Sequence, residues 1–211
     1  MKSVWNFIVK PIGDRYDNSI KVEDKDLILN SSIEKFKFIN RKAVVMNVPT
    51  AYNTVIEEGD EVIIHHNVFR RYYNVKGEAV DSSKKFKEDM FFCQPDQIYL
   101  YKRVVKWHSF GTRCFVMPIK NNNNLTLEKE QKNVGILKHG NKLLEVQGIN
   151  EGDLVGFPNN REFEFIINNQ RLYCLDVDDI LIKYEYKGNE EEYNPSSVSY
   201  THLTLPTNLR V

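Results

Sequence analysis

The sequence predicts an all-β protein built as two tandem, partly open β-barrels. Three observations carry this. Short runs of β-branched and aromatic residues recur along the chain, bounded by turn residues. Long apolar periodicity of the helical kind is missing. Three blocks of the first half return in the same order in the second. FIVKPI (7–12) returns as CFVMPI (114–119), IEEGDEVIIHH (56–66) as INEGDLVGFPN (149–159), and PDQIYLYK (95–102) as VDDILIKY (177–184). A repeat of this length is a small domain used twice rather than a solenoid unit.

The predicted strands of the first half are 4–12, 42–48, 61–66, 90–93 and 97–103. Those of the second are 112–119, 133–138, 153–157, 162–167, 171–175 and 180–186. Glu162-Phe163-Glu164-Phe165 alternates polar and apolar, as a half-buried strand does. Asn168-Asn169-Gln170 then predicts a hairpin turn into RLYCL. Gly59-Asp60 and Gly152-Asp153 stand just before strands. The glycine suits a turn that a β-carbon resists and the aspartate can accept from nearby amides, so both pairs are read as structural turns.

Segments 13–35, 76–89 and 120–132 lack strand character. They are polar or charged, with too little apolar surface to offset ordering entropy, so mobility is expected of them. At most one helical turn is expected, over 127–132. VFRRYYNVKG (68–77) interleaves basic and aromatic residues. It is read as a hairpin with its aromatics in the core, in preference to a base-stacking surface. The domains are placed at 1–103 and 107–187, joined near Lys102–Lys106, with 188–211 a tail. VSYTHLTLPT at its end resembles a translated sequencing adapter, so 198–211 is set aside as an assembly artefact.

The 211 residues carry 29 Lys+Arg and 29 Asp+Glu, a formal net charge of zero. Phosphate neutralisation usually needs a basic excess, so nucleic acid is disfavoured as a partner. No apolar run reaches membrane-spanning length and the N-terminus lacks a leader pattern, so a cytoplasmic location without membrane partners is expected. Cys93, Cys114 and Cys174 are far apart and odd in number, which predicts reduced, buried thiols. His65-His66 is the one histidine cluster. In a strand the two rings would face opposite sides, so no metal site is predicted. GILKHGNK (135–142) lacks the Lys-Ser/Thr of a phosphate loop. No nucleophile elbow or Cys–His pair is evident, so no catalytic residue and no cofactor is predicted.

The order of blocks resembles the GroES-type co-chaperonins, in their tandem, double-barrel and virus-encoded form. An apolar strand ending in Pro-Ile is followed by a polar segment with an aliphatic triplet. A short valine-rich strand, a Glu-Gly-Asp turn, a hairpin and a final D-I-L-I strand complete the pattern. Residues 149–186 carry the resemblance best. It implies a non-enzymatic lid that caps a GroEL-type chaperonin ring and assists protein folding, with ATP acting through that partner. It also implies a homo-oligomeric ring, a heptamer if it matches the partner's symmetry. Leu27-Ile28-Leu29 corresponds to the family's chaperonin-binding tripeptide, and Leu125 and Leu127 to a partial second copy. The second loop is shorter than the family's, and neither half has a long roof loop. Two alternatives remain. One is a fragment of a zinc-dependent medium-chain dehydrogenase, whose ligands and dinucleotide fold are missing here. The other is a virus structural or nucleic-acid-binding β-protein.

Overall fold

The computed structural model describes residues 2–16, 19–22, 25–28, 39–121, 129–185, 188 and 190–193. The chain divides into two units, Met1–Gly111 and Thr112–Val211. Among the described residues almost all regular structure is extended, so the all-β class holds.

In the first unit the strands are β1 (Phe7–Pro11), β2 (Ser19–Val22), β3 (Lys25–Ile28), β4 (Lys42–Asn47), β5 (Glu61–Ile64) and β6 (Arg71–Tyr73). They continue with β7 (Ala79–Asp81), β8 (Lys85–Lys87), β9 (Met90–Cys93), β10 (Ile98–Arg103) and β11 (Lys106–Ser109). One antiparallel sheet runs β11-β10-β5-β4-β1-β9-β8, while β2–β3 and β6–β7 are separate two-stranded sheets. Phe7 and Val9, Ala43 and Val45, Val62 and Ile64, and Phe91 and Cys93 are spaced by two along their strands. One face of the sheet therefore supplies the core, closed by Phe69, Val68, Ile56 and Ile98. Each such fully buried Val, Ile or Phe stabilises by about 1.5–3 kcal/mol relative to exposure.

The second unit comprises β12 (Arg113–Lys120), β13 (Glu130–His139), α1 (Lys142–Val146), β14 (Leu154–Gly156), β15 (Phe163–Ile167), β16 (Gln170–Asp176) and β17 (Ile182–Lys183). Its sheet runs β15-β16-β12-β13-β14-β17. Reversed, this order is β17-β14-β13-β12-β16-β15. It matches β10-β5-β4-β1-β9-β8 strand for strand, and the repeated blocks occupy equivalent strands. Cys114 and Val116, Val155 and Phe157, and Leu175 and Val177 again alternate into a core, joined by Leu137 and by Leu144 from α1. In neither sheet do the two terminal strands pair with each other among the described residues, so each is open by hydrogen bonding.

Several expectations need correction. The division falls at Gly111/Thr112, not at Lys102–Lys106, because β11 folds back on β10 with Arg103 opposite Lys106. Segment 76–89 is not without structure: it contains β7 and β8. Among the described residues of 180–186 the strand is the two-residue β17, since Ile180 ends a 3-10 turn over Val177–Asp179. Helix α1 was not foreseen, and 130–132 extends β13 where a helical turn was expected. Asn141 caps α1, its Oδ1 accepting from the amides of Leu143 and Leu144. The Asn168-Asn169 turn stands as expected, with φ of 50° and 62°. All three cysteines are buried thiols.

Candidate functional site: the roots of two excursions

In each unit the chain leaves the sheet at the same topological point, between the Pro-Ile strand and the strand beside it. In the first unit the departure follows β1. The Ile12 amide donates to the Lys42 carbonyl at 3.0 Å, and Tyr16 bridges Ile39. Asn40, 8% exposed, holds this neck shut. Its side-chain amide donates to the carbonyls of Ile12 (2.7 Å) and Asp14 (2.8 Å), and its Oδ1 accepts from the Lys42 amide at 2.8 Å. A buried asparagine with its donors and acceptor used in this way fixes the backbone on both sides.

The hairpin β2–β3 lies on this excursion, with Ile20 opposite Leu27 and Ser19 opposite Ile28. Leu27 and Ile28 therefore sit on a strand that belongs to no larger sheet. Leu29 lies outside the described residues, as do Leu125 and Leu127. In the second unit the corresponding neck closes where Lys120 faces Glu130 and the Asn121 amide donates to the Lys129 carbonyl at 2.9 Å.

Each root is braced by charge. In the first unit Arg15 donates to Asp81 Oδ1 and to the Phe69 carbonyl, both at 2.6 Å, and its guanidinium lies 4.7 Å over the Phe91 ring. Asp81 also receives Arg71 and Lys85. Burial alone would raise the Asp81 carboxyl, but hydrogen bonds from Lys85 and Arg15 and their charges hold it well below the usual carboxylate range. The Tyr16 hydroxyl accepts from the Arg71 amide at 2.6 Å. In the second unit Glu130 takes both Arg171 and the Tyr173 hydroxyl, and Arg171 reaches Glu164 at 3.4 Å. Burial, and then the hydrogen bond to Glu130, push the Tyr173 phenol up.

The Gly-Asp turns are duplicates in detail. Gly59 has φ +93° and Gly152 φ +97°, a region that favours glycine. Asp60 accepts from the Glu57 amide at 2.9 Å, and Asp153 from the Asn150 amide at 2.7 Å. Each aspartate then binds a cation from the last strand of the shared order or its end, Arg103 at 3.1 Å and Lys183 at 2.6 Å. Burial would raise the Asp153 carboxyl, yet the Asn150 amide and Lys183 draw it below its ordinary value.

His65 and His66 do not face opposite sides. The chain has left β5 for a 3-10 turn, and the rings stack 4.2 Å apart. Burial, then His65, Arg41 and Arg70, lower His66 to about 4, so it is neutral near pH 7. Among the described residues no group of three or more His, Cys, Asp or Glu is placed to hold a metal ion. VFRRYYNVKG does open a hairpin, β6–β7, but of its aromatics Phe69 alone is in the core. Phe69 is buried, whereas Tyr72 and Tyr73 are 43% and 47% exposed.

Arg15, Asn40, Asp81, Glu130, Arg171 and Tyr173 were not singled out by the sequence. Their partners are distant, 66 positions for Arg15 and Asp81, and no local pattern marks such pairs. No protein-family model matches the chain, and no curated protein matches it.

Proposed function

We propose that this protein is a non-catalytic co-chaperonin, a lid for the ATP-bound ring of a GroEL-type chaperonin. Its anchor is Leu27-Ile28-Leu29, and ATP acts through the partner. The observation that supports this reading most directly is the pairing of two units of one strand order, each with a connection at the same point whose two ends are held together by a braced neck. A lid needs such a division of labour. A short apolar anchor on a polar segment binds weakly alone, because ordering it costs free energy. Presented in several copies from rigid bases, it binds strongly by multivalency and still releases when the partner changes state. A homo-oligomeric ring, heptameric to match the partner, supplies those copies. The weaker Leu125/Leu127 segment makes the first unit the principal contact.

The test is capture of the full chain on a purified bacterial chaperonin ring, with and without ATP, beside Leu27→Asp/Leu29→Asp. Nucleotide-dependent capture that the double variant loses is the expected result. Capture that survives the substitutions moves the contact elsewhere on the lid. No capture with any nucleotide removes the lid reading.

A further inference from the structure

Each of the two large sheets ends in two strands that have no further strand beside them among the described residues. These are β11 and β8 in the first unit, and β15 and β17 in the second. An uncovered edge is a template for pairing with another chain, and folds blunt it with brevity, irregular register or lysine. Three of the four edges carry such devices. Strand β8 is three residues long, Lys85-Phe86-Lys87, and its register against β9 is irregular. Strand β17 has two residues, one of them Lys183. Strand β11 begins at Lys106, and its large apolar side chain, Trp107, is buried. Strand β15 lacks all of these devices. Its five residues, Phe163-Glu164-Phe165-Ile166-Ile167, pair with β16 in unbroken register and include no lysine, arginine or proline. Phe163 and Ile166 are 66% and 54% exposed. The contrast with β8 is direct, because the two strands hold the same place in the shared order.

The hairpin turn fixes which groups this edge offers. Asn168-Asn169 is a two-residue turn with φ positive at both positions, so Ile167 and Gln170 exchange hydrogen bonds, and in alternation so do Phe165 with Leu172 and Phe163 with Cys174. The amides and carbonyls of Glu164 and Ile166 therefore face outward. A second β15, laid antiparallel across a two-fold axis at Phe165, sets Glu164 of each chain opposite Ile166 of the other. Each such pair exchanges both of its hydrogen bonds, and every outward group of Glu164 and Ile166 is used. The same register sets Phe163 opposite Ile167 of the other copy. It thereby extends the apolar row of Phe165 and Ile167, which are 6% and 3% exposed. No like charges meet, because Glu164 lies opposite an isoleucine and is held by its own Arg171 at 3.4 Å. The strand is complementary to itself, and that selects a second copy of this chain as its occupant.

We infer that the β15 edge is a two-fold, self-pairing contact between two copies of this chain, with Glu164 and Ile166 supplying its backbone hydrogen bonds. It does not depend on the lid reading. Five residues a side fall short of a permanent interface, so the contact is weak and forms with rising concentration. A two-fold contact closes on itself, so it joins copies in pairs and builds no open fibre.

The experiment is sedimentation velocity of the full chain from about 5 µM to about 500 µM, for the natural sequence, Ile166→Glu and Ile166→Lys. The first substitution sets a carboxylate opposite Glu164 of the other copy, and the second sets an ammonium there. The expected result is reversible pairing of the natural chain, weakened roughly tenfold or more by Ile166→Glu and held within roughly threefold by Ile166→Lys. An unchanged thermal transition of both variants serves as the fold control, since Ile166 is exposed. Equal loss of association with either charge is what an unspecific apolar edge gives, and it overturns the pairing. A natural chain that stays single over the whole range overturns it too. An assembly whose mass neither substitution alters is built through another surface, which overturns this contact and leaves the lid reading untouched. Failure of the chain to bind a chaperonin ring, with the pairing as expected, does the reverse.

Discussion

Replacing Asp81 by asparagine tests the bracing of the first neck. The change keeps size and one acceptor but removes the charge that three cations share. Arg15 retains 10% of its side-chain exposure and Asp81 26%, so the pair lies between the two regimes that are understood. Exposed pairs contribute about 0–1 kcal/mol. Removing one partner of a fully buried pair costs about 3–5 kcal/mol. An intermediate cost of about 2 kcal/mol follows, softened because Arg15 keeps the Phe69 carbonyl and the Phe91 ring. In a unit of this size that lowers the transition by on the order of 10 °C. Lys85→Ala, at a side chain 38% exposed, should cost less than about 1 kcal/mol. The pH dependence has a definite sign. A carboxyl held below its unfolded range contributes fully above the unfolded value, near pH 4, and loses the contribution as pH falls through the folded one. Urea unfolding at pH 7 and pH 3 should therefore show the gap between natural sequence and Asp81→Asn narrowing in acid. A gap equal at both pH values, or no larger than that of Lys85→Ala, would refute the bracing role.

Four further outcomes follow from packing and backbone conformation. An alanine β-carbon at Gly135 would stand 2.5 Å from the Met117 carbonyl oxygen and 2.5 Å from Val116 Cγ1, so Gly135→Ala should destabilise the second unit by about 1–3 kcal/mol in denaturant titration. Gly156→Ala should cost less, because the atoms in its way belong to the Tyr184 ring and the Ile182 side chain and none to backbone. Val104 holds φ +59° in the β10–β11 turn while 90% exposed, so Val104→Gly should raise the thermal transition of the first unit, by about 1 kcal/mol in stability. Burial pushes the Cys93 and Cys114 thiols up, so neither should react with a thiol reagent at pH 8 until the chain unfolds.

The duplication was legible because its carriers are local. Each Gly-Asp turn needs its own glycine and aspartate within four residues, and each flanking strand announces itself by alternation. The paired blocks therefore marked equivalent strands before any contact was known, and the Asn168-Asn169 hairpin was equally local. The necks were not legible. Asn40 looks like any loop asparagine until Ile12 and Asp14 are brought to it, and Arg15 like any surface arginine until Asp81 arrives. Helix α1 is too short for a period to show, and its Asn141 cap was the available signal. Tyr72 and Tyr73 of β6 were misplaced in the core for another reason. Alternation says that a strand has two faces, but not whether either face is covered, and in a free ribbon neither need be.

The shared strand order has a consequence for how the chain is made. Strands β4 and β13, or β5 and β14, take the same interior place between equivalent neighbours and share the same turn, so each unit offers the other's strands a template of nearly the right shape. Repeated domains are prone to such exchange. What separates them here is divergence in side chains: Gly135 lies flat against the Met117 carbonyl, where the first unit's Ala43, fully buried, carries a β-carbon opposite Pro11. A strand carrying a β-carbon at that position would clash with the Met117 carbonyl, which disfavours its insertion in the second sheet. The glycine is thus a point of misfit between otherwise interchangeable strands, and it favours pairing of each half with its own.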